Sequence, residues 1–284
     1  MPDEKSKPRD SELDIYGLTH KGLVRETNED HFLACSFRKT IDVHYTNLPD
    51  LSRFEDVGER LGFLAVLADG VGGAEAGGVA SRRTLEGLVY YALTGLKTYL
   101  AGDPRSEEAF LEELRASVLR CHEKILAESA GLKRGMKTTL TMAMTRWPIG
   151  YVVQVGDSRC YGLRDGVLQQ LTRDQTLAQE LVDAGVGRPT EIRDRWGDVL
   201  SSSIGGSSVD IVISRVEMQW NDVYLLCSDG LTKHVSDERI REILMVNDSA
   251  KAAAEALVNA ALEEGGTDNV TVFVGAIRKP ARER

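Results

Sequence analysis

Leu64-Ala65-Val66-Leu67-Ala68-Asp69-Gly70-Val71-Gly72-Gly73 decides how this chain is read. An unbroken apolar run the length of a strand ends in one carboxylate and then in glycines. A buried strand would deliver Asp69 to a turn where backbone can approach a ligand closely. The design recurs at Val223-Tyr224-Leu225-Leu226-Cys227-Ser228-Asp229-Gly230. Two such strands, each presenting an Asp-Gly at one end, point to converging carboxylates and a site for a hard cation. Asp-Gly alone is also a hairpin signal. Asp165-Gly166 is that version, because strand candidates flank it on both sides, Cys160–Leu163 and Val167–Leu171. After Asp69-Gly70 and Asp229-Gly230 come small or polar residues and a helical pattern, not a return strand.

A chain of 284 residues with 42% hydrophobic content can bury the core of one large domain, or at most two small ones. Its net charge of -9 and lack of a basic patch argue against a nucleic-acid partner. Excess acid fits carboxylates that hold divalent cations, and fits an ordinary acidic protein equally well. Cys35, Cys121, Cys160 and Cys227 are scattered without CxxC spacing, which argues against zinc and against a disulfide framework. Met1 to Asp10 has no apolar segment of a signal peptide, and no apolar run approaches the ~20 residues of a membrane span, so the expected location is the cytoplasm.

Along the chain, residues 1–11 read as a disordered tail, and 12–284 as one domain without repeat or linker. Strands are expected at Leu13–Thr19 and His31–Phe37. Residues 38–61 form an irregular excursion, with a turn at Asn47-Leu48-Pro49-Asp50 and a helical turn near Phe54–Arg60. A helix over Ala76–Leu100 is broken by Gly102-Asp103-Pro104. A second, capped by Ser106, carries Leu111, Leu114, Val118, Cys121 and Ile125 on one face and ends at Gly131. The period then changes to an antiparallel meander of strands at Thr138–Arg146, Tyr151–Val155, Arg159–Leu163 and Val167–Leu171. Thr172 or Asp174 can cap a helix to about Asp183. Residues 185–208, rich in Gly, Ser and charge, read as a flap. Strands follow at Val209–Met218 and Val223–Cys227, helices capped by Ser236 and Ser249, and a last strand at Asn269–Ala276. This order favours antiparallel sheets flanked by helices over a parallel wound sheet.

Five acidic clusters sit at the ends of these strands: Asn28-Glu29-Asp30, Asp69-Gly70, Gly156-Asp157-Ser158-Arg159, Ser228-Asp229-Gly230 and Gly265-Gly266-Thr267-Asp268-Asn269. Each alone reads as a turn. In this order, with Gly22-Leu23-Val24-Arg25 before the first and Lys137-Thr138-Thr139 between the second and third, they resemble the motifs of the metal-dependent serine/threonine protein phosphatases of the 2C type, the PPM family, in its bacterial form. The resemblance runs from about Leu13 to Ala276.

The resemblance implies an α+β fold, a four-layer αββα sandwich of two antiparallel sheets flanked by helix pairs. It implies a binuclear Mn²⁺ or Mg²⁺ centre with a third, weaker metal position. By analogy Asp69 bridges the two metals, the Gly70 carbonyl binds the first, and Glu29, Asp229 and Asp268 hold the second. Asp30 orients metal-bound water, Asp157 with Asp229 matches the third position, and Arg25 grips the substrate phosphate. Hydrolysis of a phosphate monoester is very slow in water. A pair of cations about 4 Å apart can activate water and neutralise phosphoryl oxygens, and an arginine fork suits a phosphate dianion. The implied substrates are phosphoserine and phosphothreonine in proteins, with a serine/threonine kinase or its substrates as partners. A non-catalytic phosphoprotein-binding member of the same fold, or a phosphatase of small molecules, are the alternatives.

The chain departs from the family pattern at three places. Val71 stands where many eukaryotic members have a His proposed as general acid, Asp174-Gln175-Thr176 where bacterial members often have Asp-His-Ser, and the flap lacks a His-Pro element. His20, His31, His44, His122 and His234 share no ligand-like spacing and read as structural or exposed. Arg159 reads as the partner of one of the site's carboxylates in an ion pair.

Overall fold

A computed structural model describes residues 6–38, 60–72, 75–100, 105–130 and 135–279. The expected turn at 47–50, the break at 102–104, the ending at Gly131 and the side chain of Ser106 lie outside what is described. Of the helical turn expected over Phe54–Arg60 only Arg60 is described, and it opens a strand.

The decisive apolar run is strand β3 (Arg60–Ala68), following β1 (Leu13–His20) and β2 (His31–Arg38). Its lack of alternation has a simple cause, since both its faces are buried. Leu64, Val66 and Ala68 point into a core under two helices, while Phe63 and Ala65 point into the layer between two sheets. β11 (Val223–Cys227) and β12 (Val270–Ile277) divide likewise. Leu225, Cys227, Val272 and Val274 face a second helix-covered core, and Leu226 and Phe273 face the inter-sheet layer.

The remaining strands are β4 (Gly70–Val71), β5 (Lys137–Thr138), β6 (Leu140–Arg146), β7 (Ile149–Val155), β8 (Arg159–Arg164), β9 (Val167–Gln170) and β10 (Val212–Glu217). One sheet has the order β1-β12-β11-β8-β9 and the other β10-β7-β6-β3-β2, with every pairing antiparallel. Helices α1 (Glu75–Leu100) and α2 (Arg105–Ser129) cover the second sheet, and Leu114, Val118, Cys121 and Ile125 of the expected apolar face are buried there. After α3 (Leu177–Asp183), α4 (Pro189–Trp196) and the single turn α5 (Asp229–Thr232), helices α6 (Asp237–Val246) and α7 (Ala250–Glu263) cover the first sheet. The result is the expected four-layer αββα sandwich.

Local signals hold in most places. Ser236 and Ser249 accept from Arg239 N and Ala252 N as N-caps. Asp165 and Gly166 both have positive φ (50° and 77°), which a tight hairpin turn requires. Three expectations change. The tail expected to be disordered through residue 11 is tied down from Pro8, whose carbonyl accepts from Arg60 Nη2 at 2.6 Å, and Asp10–Glu12 form a 3₁₀ turn. Helix α3 is capped by Thr176, not by Thr172 or Asp174, because Thr172 Oγ1 accepts from Cys160 N and Asp174 pairs with Arg159. The strand expected from Thr138 is interrupted at Thr139, where the backbone turns to bond Asp69. All four cysteines are free thiols, and among the described residues no helix is long and apolar enough to cross a membrane.

Register fixes where the acidic clusters fall. His20 lies opposite Val270, Cys227 opposite Val272 and Arg159, His31 opposite Ala68, and Leu140 opposite Val155. The β1–β2 loop, the end of β3, the β7–β8 turn, the end of β11 and the start of β12 therefore share one end of the sandwich.

Candidate metal centre

A cleft of ≈ 530 Å³ opens at that end, lined by Arg25, Glu29, Asp69, Gly70, Asp157, Asp229 and Asp268 of the expected set, together with Asp198 and Lys233. Asp30 lies beneath it, 5% exposed. All eight expected site residues are thus brought to one place.

Neutral side chains hold most of the acidic ones. Asn269 accepts from Glu29 N at 2.8 Å and donates to the carbonyls of Lys21 and Thr27, both at 2.9 Å, which fixes the loop that carries Arg25. Ser228 and Thr271 donate to Asp30 Oδ2 at 2.8 and 2.7 Å. The Asp69 carbonyl accepts from Thr138 Oγ1 and Thr139 N, and Asp69 N donates to Thr139 Oγ1. Thr139 Oγ1 also bonds Ser158 Oγ at 2.7 Å, so the turn holding Asp157 is tied to the strand end holding Asp69. Gln175, in the place of the bacterial His, clamps that turn by accepting from Gly156 N through its side chain. The first turn of α1 packs closely on the backbone of β4: a Cβ on Gly77 would lie 2.8 Å from Gly70 C and 2.9 Å from Gly70 O, so glycine is needed there.

The electrostatics are unbalanced. Burial raises Asp69 and Asp157 well above the ordinary carboxylate range, and repulsion from neighbouring aspartates adds to it. Burial also raises Glu29, Asp229 and Asp30, the last to about 6. Asp268 goes the other way: against the effect of burial, Lys233, Arg25 and the Asn269 N–H hold it below its ordinary value. Arg25 Nη2 lies 2.8 Å from Asp268 Oδ2, and Lys233 Nζ lies 2.7 Å from Asp229 Oδ2 and 3.1 Å from Asp268 Oδ2.

Do these residues suit a divalent cation? Among the described residues no group of three or more His, Cys, Asp or Glu side chains is already drawn into a ligand cage. The donor chemistry nevertheless fits. Glu29 Oε1, Asp30 Oδ1 and Asp229 Oδ1 are buried with no hydrogen-bond partner. Buried anionic oxygens are ordinarily paired or coordinate metal, and oxygen donors are what Mg²⁺ and Mn²⁺ prefer.

The weaker candidates resolve into structural roles. Arg159 forms a forked pair with Asp174, which is outside the cleft, instead of with a site carboxylate as expected. His234 Nε2 accepts from Thr267 N and so steadies the loop before Asp268, while His20, His31 and His122 bond Gly22 N, Ser81 Oγ and Gly205 N. His44 lies outside the described residues. Residues missed in the sequence are Lys233, Asp198, Asn269 and Gly77. Of these Lys233 carried a signal as a cation four residues after Asp229 and so on the same helical face, and Asn269 as the neighbour of Asp268 in the fifth acidic cluster.

The sequence profile of the protein phosphatase 2C family matches residues 50–265. The chain therefore belongs to that family. It is 36% identical over 260 residues to the serine/threonine protein phosphatase PstP of Mycobacterium tuberculosis, covering 90% of this chain and 43% of that one. The chain thus spans less than half the length of that relative. It is 31% identical over 273 residues to the protein phosphatase PhpP of Streptococcus pneumoniae, covering 95% of this chain and 100% of that one. Among solved structures, the catalytic domain of PstP in complex with two manganese ions superposes with a TM-score of 0.70 at 32% identity, over 94% of this chain and 99% of that one.

Proposed function

We propose that the chain is a metal-dependent protein phosphatase that hydrolyses phosphoserine and phosphothreonine in proteins. The observation that carries this reading is the set of partnerless buried oxygens, Glu29 Oε1, Asp30 Oδ1 and Asp229 Oδ1, at a cleft with an arginine in its wall. Glu29, Asp69, the Gly70 carbonyl, Asp229 and Asp268 would hold two Mn²⁺ or Mg²⁺ ions, and Asp157 with Asp229 a third, weaker one. When bound, such ions neutralise phosphoryl charge and lower the pKa of an attacking water. Arg25, half-exposed and already on Asp268, can turn its free donors to the substrate phosphate. Asp30, held by Ser228 and Thr271 through one oxygen, keeps its other oxygen to orient a water. Val71, in the wall of the cleft, cannot donate a proton, so the leaving group takes its proton from water or from another residue of the cleft. The partners we propose are a serine/threonine kinase or its substrates, and the place of action the cytoplasm.

The test is phosphate release from a phosphothreonine peptide with and without Mn²⁺, for the parent chain and for Asp69→Asn and Asp229→Asn. The expected result is Mn²⁺-dependent turnover that each variant reduces at least ~10³-fold, the scale of lost electrostatic stabilisation. Near-normal turnover of either variant at saturating Mn²⁺ would remove that residue from the site. Binding of the phosphopeptide without turnover would favour a regulatory, non-catalytic member.

A further inference from the structure

Lys233 does not belong to any expected part of the site, yet it stands in the middle of it. Its backbone N–H donates to the Asp229 carbonyl at 2.8 Å and closes α5, which fixes the side chain's origin over the end of β11. From there the ammonium reaches Asp229 Oδ2 at 2.7 Å, Asp268 Oδ2 at 3.1 Å and, across the cleft, Asp198 Oδ1 of the flap at 3.4 Å. Its side chain is 31% exposed, so these contacts are partly shielded from water. Asp229 and Asp268 are the two aspartates assigned above to the second metal. The other cation on them is Arg25, which bonds the same Asp268 oxygen.

We propose that Lys233 is a resident competitor of the second metal, sharing carboxylate oxygens with it and thereby weakening its binding. This inference rests on the metal-site reading above. A carboxylate oxygen that bonds an ammonium has less charge to offer a cation, and an ammonium a few ångströms from a divalent ion repels it strongly where solvent is scarce. A metal taking Asp229 Oδ2 or Asp268 Oδ2 must displace the lysine. The flap carboxylate of Asp198, 85% exposed and already 3.4 Å away, is the place where the ammonium can go. Lys233 also serves the folded chain at low metal, because it is the nearest counter-charge to Asp229. One residue thus sets two opposed quantities, lower metal affinity and greater tolerance of metal loss.

The experiment is calorimetric titration of the full chain with Mn²⁺ at pH 8, together with thermal unfolding in chelator, for the parent, Lys233→Met and Lys233→Arg. Lys233→Met should bind Mn²⁺ roughly tenfold more tightly or better, a change of the size one such charge can produce. It should also unfold at a lower temperature in chelator. Lys233→Arg, which keeps the charge, should stay close to the parent in both. Equal or weaker Mn²⁺ binding by folded Lys233→Met would overturn the proposal and make the lysine a clamp that presents its aspartates to metal. A parent chain that binds no Mn²⁺ would overturn the metal-site reading itself, and this inference with it. Should Lys233→Met fail to fold in chelator, Lys233→Gln titrated beside the parent decides by the same criterion.

Discussion

Asp30→Asn should make the chain more stable in chelator at pH 8, although Asp30 is one of the proposed functional residues. Asp30 is buried, and burial raises its pKa to about 6 despite hydrogen bonds from Thr271 and Ser228. A carboxyl whose folded pKa exceeds its unfolded one binds more protons in the fold. Its stabilising effect is complete below the unfolded value, near 4, and is lost as pH rises through about 6. At pH 8 the carboxylate therefore weighs against the fold, by about 3 kcal/mol on the scale of 1.36 kcal/mol per pKa unit. Asparagine resembles the protonated acid. Its carbonyl can accept from Ser228 and Thr271 as Oδ2 does, but its buried amide needs acceptors, which reduces the gain. The expectation is a gain of about 1–3 kcal/mol, or roughly 3–10 °C in Tm for a domain of this size. The assay is thermal and urea unfolding of parent and variant in chelator between pH 4 and 8. The gain should vanish by pH 4. A variant no more stable than the parent at pH 8, or a gain equally large at pH 4, would refute the electrostatic account. In millimolar Mn²⁺ both chains should gain, by about 2.7 kcal/mol at 100 times Kd, because Asp30 is not among the residues proposed to hold the metal.

Three further outcomes are expected. Arg25→Ala should raise KM for a phosphopeptide roughly tenfold with a smaller change in kcat, measured by steady-state kinetics, because the guanidinium grips phosphate in ground and transition states alike. Asp157→Ala should lower kcat roughly 10- to 10³-fold, the scale of acid–base help, and remove a weak high-concentration phase from the Mn²⁺ dependence. A destabilised variant with unchanged kcat would make Asp157 a turn residue only. Asn269→Ala removes three hydrogen bonds at once, so urea unfolding should show a loss of about 2–4 kcal/mol, and calorimetry weaker Mn²⁺ binding as Glu29 loses its backbone anchor.

The fold was legible where burial is symmetrical. β3 and β11 read as apolar runs because helices cover one face and the opposite sheet the other. Caps were legible where one candidate stood alone, as at Ser236 and Ser249. At 172–176 the sequence offered Thr172 and Asp174, and neither is the cap. The choice fell to Thr176 because Thr172 and Asp174 have partners on β8, 12 and 15 positions back along the chain. The same limit applies to Arg159, whose charge promised an ion pair but whose partner depended on how β8 and the segment after β9 lie together. Of the site, the acidic set was legible because strand ends punctuate the sequence. The residues that fix it in position were not: Asn269 bonds residues 240 or more positions away.

The division of labour in the cleft follows from charge. A carboxylate that must serve a metal can be fixed through its backbone, or through one oxygen, by neutral donors, and keep its charge for the ion. Asn269 does this for Glu29, Ser228 and Thr271 for Asp30, and Thr138 and Thr139 for Asp69. A cation in the same position would fix the side chain more strongly, but would consume the charge the metal needs. Asp268 carries that cost, with both Arg25 and Lys233 on one oxygen and a pKa held low. Arg25 and Lys233 meet on that one oxygen, and Lys233 also reaches Asp229 Oδ2 at 2.7 Å. Glu29 and Asp30, held by one amide and by two hydroxyls, each keep one buried oxygen unpaired.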